Sequence, residues 1–341
     1  MKPFVRFAAF AFCVSFGSAV LAQSTRVDPW PREPDAPDAP KPAAAPRQLA
    51  GLVGAYGPES DPFYVLEDGG KLFTVRGHGP AQPVTAGGFK KDARGSGLGV
   101  TFDGDTYPRL QLGPAAGTSQ LRVTPVRPVA DVIAESVTHH PPAEGETFRP
   151  ADLVELVRLD PSIKLDIRYA TTNNFLGAAF YSQARAFLQR PAADAVARAS
   201  AALHKRGYGL LVHDGYRPWY VTKAFWDATP DDKKWLVANP ASGSKHNRGC
   251  AVDLTLYDLA TGKVIEMPST YDESTERAYA FYPGGTGLQR WHRALLRRAM
   301  EAEGFTVNPT EWWHFDYKDW KEYAIGNVRF ERVTAGSMKH P

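Results

Sequence analysis

Cysteine is nearly absent from this 341-residue chain, which has only Cys13 and Cys250. That count excludes a disulfide-stapled scaffold and a multi-cysteine zinc ribbon, so ordinary packing must hold the fold. Charge of one sign is lacking too. Forty Lys plus Arg against thirty-seven Asp plus Glu leave a net charge of only +3, without the one-signed field that draws a protein onto nucleic acid. No nucleic-acid partner is expected. With 43% hydrophobic residues and about 100 to 200 residues per domain, the chain has apolar material for two cores.

The first 22 residues have the layout of an export signal rather than of a folded segment. Lys2 and Arg6 give a cationic start, Phe7 to Leu21 is apolar, and Val20-Leu21-Ala22 ends on the small residue a signal peptidase accepts. The apolar run falls short of the ~20 residues that cross a bilayer, so no stable membrane span is expected after cleavage. Cys13 lies too early, and without a small residue before it, for a lipoprotein anchor. The expected location is periplasmic or secreted, with Cys250 the one thiol left and no intrachain disulfide.

Residues 23–48 hold seven prolines among alanines and scattered charges, a composition that buries too little apolar surface to fold and describes a semi-rigid tether. Residues 49–137 are expected to form a small antiparallel β domain of unknown role. Its clearest signal is Phe63 to Leu66 and Lys71 to Val75 around Glu67-Asp68-Gly69-Gly70, two apolar runs flanking a turn that needs positive φ. Further runs at Gly99 to Phe102, Leu110 to Leu112 and Leu121 to Thr124 are taken as strands. The glycine-rich run Gly95-Ser96-Gly97-Leu98-Gly99 has no helix pattern after it, so it suits a hairpin turn better than a phosphate loop.

A second Pro-containing stretch, Thr138 to Pro150, leads into residues 148–341, where strand and helix signals mix and the class is α+β. Ile163, Leu165, Ile167 and Tyr169 alternate with polar residues. Pro191 to Arg206, closed by Gly207, and Leu288 to Glu303, closed by Gly304, have helix patterns with the usual punctuation. Tyr208 to His213, Ala251 to Tyr257, Phe305 to Val307 and Trp312 to Tyr317 are expected strands, and Thr229-Pro230 starts a short helix.

Two islands carry the chemistry: Ser244 to Asp253, and Glu311-Trp312-Trp313-His314. Catalysis at zinc needs about three protein ligands from His and carboxylate, plus an open position for water, whose pKa the ion lowers to about 7. His246, Asp253 and His314 supply that set. Gly249 lets the chain turn between the His246 loop and the Asp253 strand, and Glu311 remains free as a base. Spacing alone leaves a plain His–Asp hydrogen-bonded pair open. Glu311 and His314, three apart, would face opposite sides of an extended strand. The base must then precede regular pleating, with Asn308-Pro309-Thr310 delaying the strand.

The run Ser-x-His-x-x-Gly-x-Ala-x-Asp from Ser244 to Asp253, with Glu-x-Trp-His from Glu311 to His314, resembles the zinc D-alanyl-D-alanine dipeptidase family (VanX-type D,D-peptidases). Asp166-Ile167-Arg168-Tyr169-Ala170-Thr171-Thr172-Asn173-Asn174-Phe175 and Asp214-Gly215-Tyr216-Arg217-Pro218 sharpen the likeness, which runs from about Phe148 to the C-terminus. The resemblance implies a hedgehog-like fold with a central antiparallel sheet and flanking helices. It also implies one Zn2+ per chain on His246, Asp253 and His314, with Glu311 as general base and then acid, and Arg217 on the oxyanion. Asp214 could orient that arginine or merely turn the chain. A carboxylate for the substrate's ammonium falls at Asp272, with Glu273 and Glu276 as neighbouring candidates. Ser244 would lie at the substrate end, and Tyr169 and Tyr181 either line the site or pack.

The implied activity is hydrolysis of D-alanyl-D-alanine or a related short D-amino-acid dipeptide, with peptidoglycan fragments as further partners. A D,D-carboxypeptidase or peptidoglycan endopeptidase on the same zinc site, and a non-catalytic wall-binding protein with a structural zinc, are the alternatives. Ser242-Gly243-Ser244-Lys245 has a Ser-x-x-Lys spacing, but no Lys-Thr-Gly partner accompanies it. Cys250 suits a buried structural thiol. His213 neighbours Asp214, and the remaining histidines have no ligand spacing.

Overall fold

The computed structural model describes residues 40–58, 61–77, 79–91, 98–102, 105–110, 121–145 and 147–333. The export-signal reading, most of the tether and the start of the Gly95 run lie outside them. No helix among the described residues is long and apolar enough to cross a membrane.

After a single turn, α1 (Arg47–Ala50), the first unit is built from β1 (Gly54–Tyr56), β2 (Phe63–Asp68), β3 (Lys71–Arg76), β4 (Gln82–Val84), β5 (Phe89–Lys91), β6 (Leu98–Phe102) and β7 (Asp105–Pro108). β1 to β4 pair in chain order and β5 to β7 form a second antiparallel sheet. The β2–β3 turn is Gly69-Gly70, both at positive φ (54° and 77°), which is what a two-residue hairpin matching strand twist requires. β2 is buried on nearly every residue because both faces are covered. Phe63 and Val65 enter a core with Tyr56, Leu72 and Val100, whereas Tyr64 and Leu66, one step out of phase, pack against Tyr279 and Tyr282 of the larger unit.

Leu121 to Thr124 is not a strand, and of the expected strand Leu110 to Leu112 only Leu110, which has no regular structure, lies within the described residues. The Val123 amide instead donates to the Phe175 carbonyl at 2.7 Å, and Val123 joins Val132 of α2 (Val129–Ser136) in the large core. α2 packs on a later helix, so residues 121–137, expected to close the β unit, cover the second unit. Apolar side chains with no room left in a small sandwich go where burial is available.

The larger unit continues with β8 (Leu153–Glu155), α3 (Leu156–Leu159), β9 (Lys164–Leu165), β10 (Phe187–Gln189), α4 (Arg190–His204), β11 (Tyr208–Asp214), α5 (Trp219–Ala228), β12 (Ala251–Asp258), β13 (Gly285–Thr286), α6 (Gly287–Ala302), β14 (Phe305–Asn308) and β15 (Glu311–Tyr317). Its main sheet has the order β14-β15-β12-β11-β9, antiparallel except for the β11–β9 pair. α4 and α6 pack on each other, and α4 also covers β11. Buried Ala192, Ala193, Ala195, Val196, Ala199 and Leu203 line the inner face of α4, where small side chains allow close approach.

The alternation from Ile163 to Tyr169 holds for burial but yields a strand of only two residues. A 3-10 turn at Arg168–Ala170 then takes over. Thr229-Pro230 precedes a 3-10 helix, Asp231–Leu236, rather than an α-helix. α5 had no expectation attached: buried Trp219, Tyr220, Val221, Thr222, Ala224 and Phe225 make it apolar nearly all round, which hides the helical period.

Candidate active site and metal centre

Asp253 and His314 sit on adjacent strands, and the β12–β15 register pairs them directly. His246 reaches the same point from a one-turn 3-10 helix, Lys245–Arg248. Ser244 caps that turn, accepting from the His246 amide, while the Ser244 amide donates to the Asn247 side chain at 2.7 Å, so its polar groups build the turn. Asn247 Nδ2 donates to the Arg217 carbonyl and to Thr222 Oγ1, tying the turn to the start of α5. Gly249 ends it at φ +68°, and a Cβ there would meet Leu153 Cδ2 at 2.7 Å. Only glycine satisfies both demands.

The ligand atoms form a small triangle. His246 Nε2 to His314 Nδ1 is 3.1 Å, His246 Nε2 to Asp253 Oδ1 3.4 Å, and His314 Nδ1 to Asp253 Oδ1 3.0 Å. Tautomers follow from the outer partners, which can only accept. His246 Nδ1 must donate to the Gly215 carbonyl (2.8 Å) and His314 Nε2 to Asp316 Oδ1 (2.9 Å). Both inward nitrogens then present lone pairs. Asp253 Oδ1 is buried with no hydrogen-bond partner, although Oδ2 accepts from Tyr271 at 3.0 Å. A single proton can satisfy only one of three converging acceptors, whereas an ion with ~2.0–2.1 Å bonds sets tetrahedral ligand atoms about 3.3 Å apart. These residues therefore fit a divalent metal.

Two residues with no earlier role hold the outer shell. Burial opposes ionisation of Asp316, but His314 and then Lys245 outweigh it and lower its pKa. Burial likewise disfavours the imidazolium of His314, yet Asp316 and Asp253 hold its pKa well above the ordinary histidine value. A metal ion and a proton thus compete for Nδ1.

Glu311 opens β15, and the β14–β15 ladder breaks its register beside it: Val307 pairs with Phe315, but Asn308 pairs with Glu311. The three residues accommodated by this irregularity bring Glu311 and His314 to the same side, Oε2 to Nδ1 3.7 Å. The strand does not start late. Its pleat is interrupted instead. Asn308 Nδ2 donates to Glu311 Oε2 at 2.9 Å, and burial raises the Glu311 pKa, with Asp253 adding and His314 opposing.

Asp214 binds Arg217 through Nε (3.0 Å) and Nη2 (2.7 Å) and also accepts from the Tyr181 hydroxyl and the Gly215 amide. Tyr181 thus packs behind the site. Nη1 of Arg217 makes no hydrogen bond among the described residues, and the guanidinium is close enough to lower the pKa of both Asp272 and Glu311. Gly215 has no space for a Cβ, which would lie 2.8 Å from the Phe187 carbonyl oxygen.

A cleft of about 620 Å3 contains Tyr169, Phe175, Trp235, Lys245, Asp272 and Glu311 among its walls. Asp272 accepts from the Tyr169 hydroxyl at 3.0 Å. Burial, then Asp253 and Glu311, push its pKa up to about 7. Glu273 and Glu276 are committed elsewhere, to Arg277 and Thr275 and to Tyr64 respectively. Cys250 is buried, and burial raises its thiol pKa, which disfavours the reactive thiolate.

The family model for D-ala-D-ala dipeptidases of the M15 peptidases matches residues 149–331. This chain belongs to that family. It is 34% identical over 189 residues to the D-alanyl-D-alanine dipeptidase of Escherichia coli K12, spanning 55% of this chain and 96% of the relative. The corresponding figures are 34% over 175 residues, 46% and 87%, for the Enterococcus faecium D-alanyl-D-alanine dipeptidase. For that of Streptomyces coelicolor they are 30% over 186 residues, 49% and 92%. The chain is accordingly a dipeptidase-family enzyme whose β unit lies outside the matched region.

Within this dipeptidase domain, Asp316, Lys245 and Tyr271 were missed by sequence reasoning. Asp316 had one legible signal, its position two residues beyond His314 on a strand, where side chains share a face. Tyr271 and Lys245 had none, because their partners come from β12 and β15.

Proposed function

We propose that this protein is an exported zinc dipeptidase that hydrolyses D-alanyl-D-alanine or a related short D-amino-acid dipeptide. The observation that carries this reading is the convergence of three acceptor atoms, His246 Nε2, His314 Nδ1 and Asp253 Oδ1, within 3.4 Å of one another, with the cleft residue Glu311 only 3.7 Å from His314. Zinc bound there would act as a Lewis acid and lower the pKa of a water molecule. Glu311, 3.7 Å from His314, is placed to take the proton of the attacking water and return it to the leaving amine, and its raised pKa suits both steps.

Arg217, always charged and held by Asp214, offers Nη1 to the negative charge that develops on the scissile carbonyl oxygen. Asp272, steadied by Tyr169, would take the substrate's free ammonium. An acid at that position favours a free dipeptide over a longer stem peptide, whose corresponding nitrogen is an uncharged amide. The cationic and apolar layout of residues 1–22 supports export, with periplasmic scavenging of dipeptides the coherent role.

The test is zinc content and D-alanine release for wild type and Glu311→Ala, with a pentapeptide stem as comparison substrate. Metal retained and release lost in the variant is the expected result. Undiminished turnover in Glu311→Ala, or a wild type that prefers the pentapeptide, rejects the assignment.

A further inference from the structure

The β unit lies outside the family match, yet it grips the segment that carries Asp272. Residues 267–286 run from the metal centre to the β unit and are fixed at both ends. Near the start, the Tyr271 hydroxyl donates to Asp253 and its ring stacks on His213 at 4.3 Å. At the end, β13 pairs in parallel with β2, Gly285 with Leu66 and Thr286 with Glu67. Between these anchors, Tyr64 of β2 donates its hydroxyl to Glu276. Tyr279 and Tyr282 join Tyr64, Leu66 and Val75 in one buried cluster, the Tyr64 and Tyr282 rings meeting edge to face at 5.1 Å.

The same segment forms one wall of the cleft through Asp272, Glu273, Ser274, Thr275 and Tyr279. Asp272 is also the one non-glycine residue at positive φ (61°) among the described residues. A backbone in that region persists where its surroundings over-determine it. The near side of the loop is held by Tyr169 and Tyr271 of the larger unit, and its far side, from Glu276 to Thr286, is held by the β unit.

We propose that the β unit is a positioning element for substrate: through Tyr64 and Glu276 it holds the loop that presents the Asp272 carboxylate, and so sets affinity for the substrate's ammonium without touching substrate or metal. The inference rests on Asp272 being the ammonium's partner. The period-two alternation of β2 makes it possible, since one face closes the β unit's own core while Tyr64 and Leu66 face the loop.

Tyr64→Phe keeps the ring in its cluster and removes only the hydroxyl. The expected result is a KM for D-alanyl-D-alanine raised about 3- to 10-fold, with kcat and metal content within about two-fold of wild type. Glu276→Gln retains an acceptor for the hydroxyl and should leave KM near wild type. Glu276→Ala should match Tyr64→Phe, and the double variant should be no worse than either alone.

Amide hydrogen exchange over residues 272–282 gives a readout independent of turnover, and it should be faster in Tyr64→Phe. An unchanged KM in Tyr64→Phe overturns the proposal, as does a fall in kcat with loss of metal. If the wild type cleaves no dipeptide, the functional reading has failed separately. Exchange then decides alone, and unchanged rates overturn the positioning role.

Discussion

Replacing Glu311 by glutamine keeps an acceptor for Asn308 and the shape of the cleft but removes the titrating proton. Because general acid–base groups contribute about 10² to 10⁴ in rate, Glu311→Gln should lose activity on that scale while retaining metal. A variant within ten-fold of wild type sinks the base assignment. Asp316→Asn tests the outer shell: losing the carboxylate behind His314 Nε2 should weaken metal binding about 10- to 100-fold by competition with a chelator, and unchanged affinity would remove Asp316 from that role.

Asp272, pushed up to about 7, must be ionised to attract an ammonium, so kcat/KM should fall as pH drops through about 7. The charge of a bound metal would pull that limb somewhat lower. In Asp272→Asn the contribution of this carboxyl to the limb near 7 should be lost. A profile identical to wild type would show that Asp272 does not titrate in binding.

Elements place these residues, and two glycines show how narrow the tolerances are. Gly249→Ala forces a side chain into φ +68° and to within 2.7 Å of Leu153 Cδ2, between the turn bearing His246 and the strand bearing Asp253. A destabilisation of about 1–3 kcal/mol is expected, read as a lowered denaturant midpoint, together with weakened metal binding. A neutral variant would mean that the turn relaxes freely. Elements were unevenly legible in sequence. α4 and α6 carry a clear 3.6-residue period ended by Gly207 and Gly304, and β2–β3 carries its Gly-Gly turn. α5 was invisible because it is buried nearly all round. Leu121 to Thr124 looked like a strand because its apolar content reports burial, not the partner that provides it.

For the whole molecule, metal and proton act on stability in opposite senses. A metal that binds only the native state raises the midpoint by mass action, so thorough chelation should lower the melting temperature measurably. An unmoved midpoint would contradict the metal centre. Burial, with Arg168 adding and Asp166 opposing, lowers the His213 pKa to about 4, and burial does the same to His292. Both are neutral when folded but take a proton near pH 6.5 when unfolded. Below that value the unfolded chain binds more protons, and the stability they contribute is lost as pH falls from about 6.5 towards 4. His213→Gln should show a shallower loss over that window, and an identical slope would refute the linkage.

Local sequence by itself determined the helices with a free polar face, the Gly-Gly hairpin and the residue types that a metal peptidase needs at His246, Asp253, Glu311 and His314. Periodicity and ligand chemistry are properties of neighbouring residues and can be read along the chain. Tertiary structure decided that Asp253 and His314 share a register, that a broken ladder turns Glu311 towards them, that Glu273 and Glu276 are tied to Arg277 and Tyr64 while Asp272 meets Tyr169 at the cleft, and that the β unit grips its loop. Those are contacts between separate segments, Tyr64 and Glu276 being 212 residues apart, and they arise only when burial forces distant faces together.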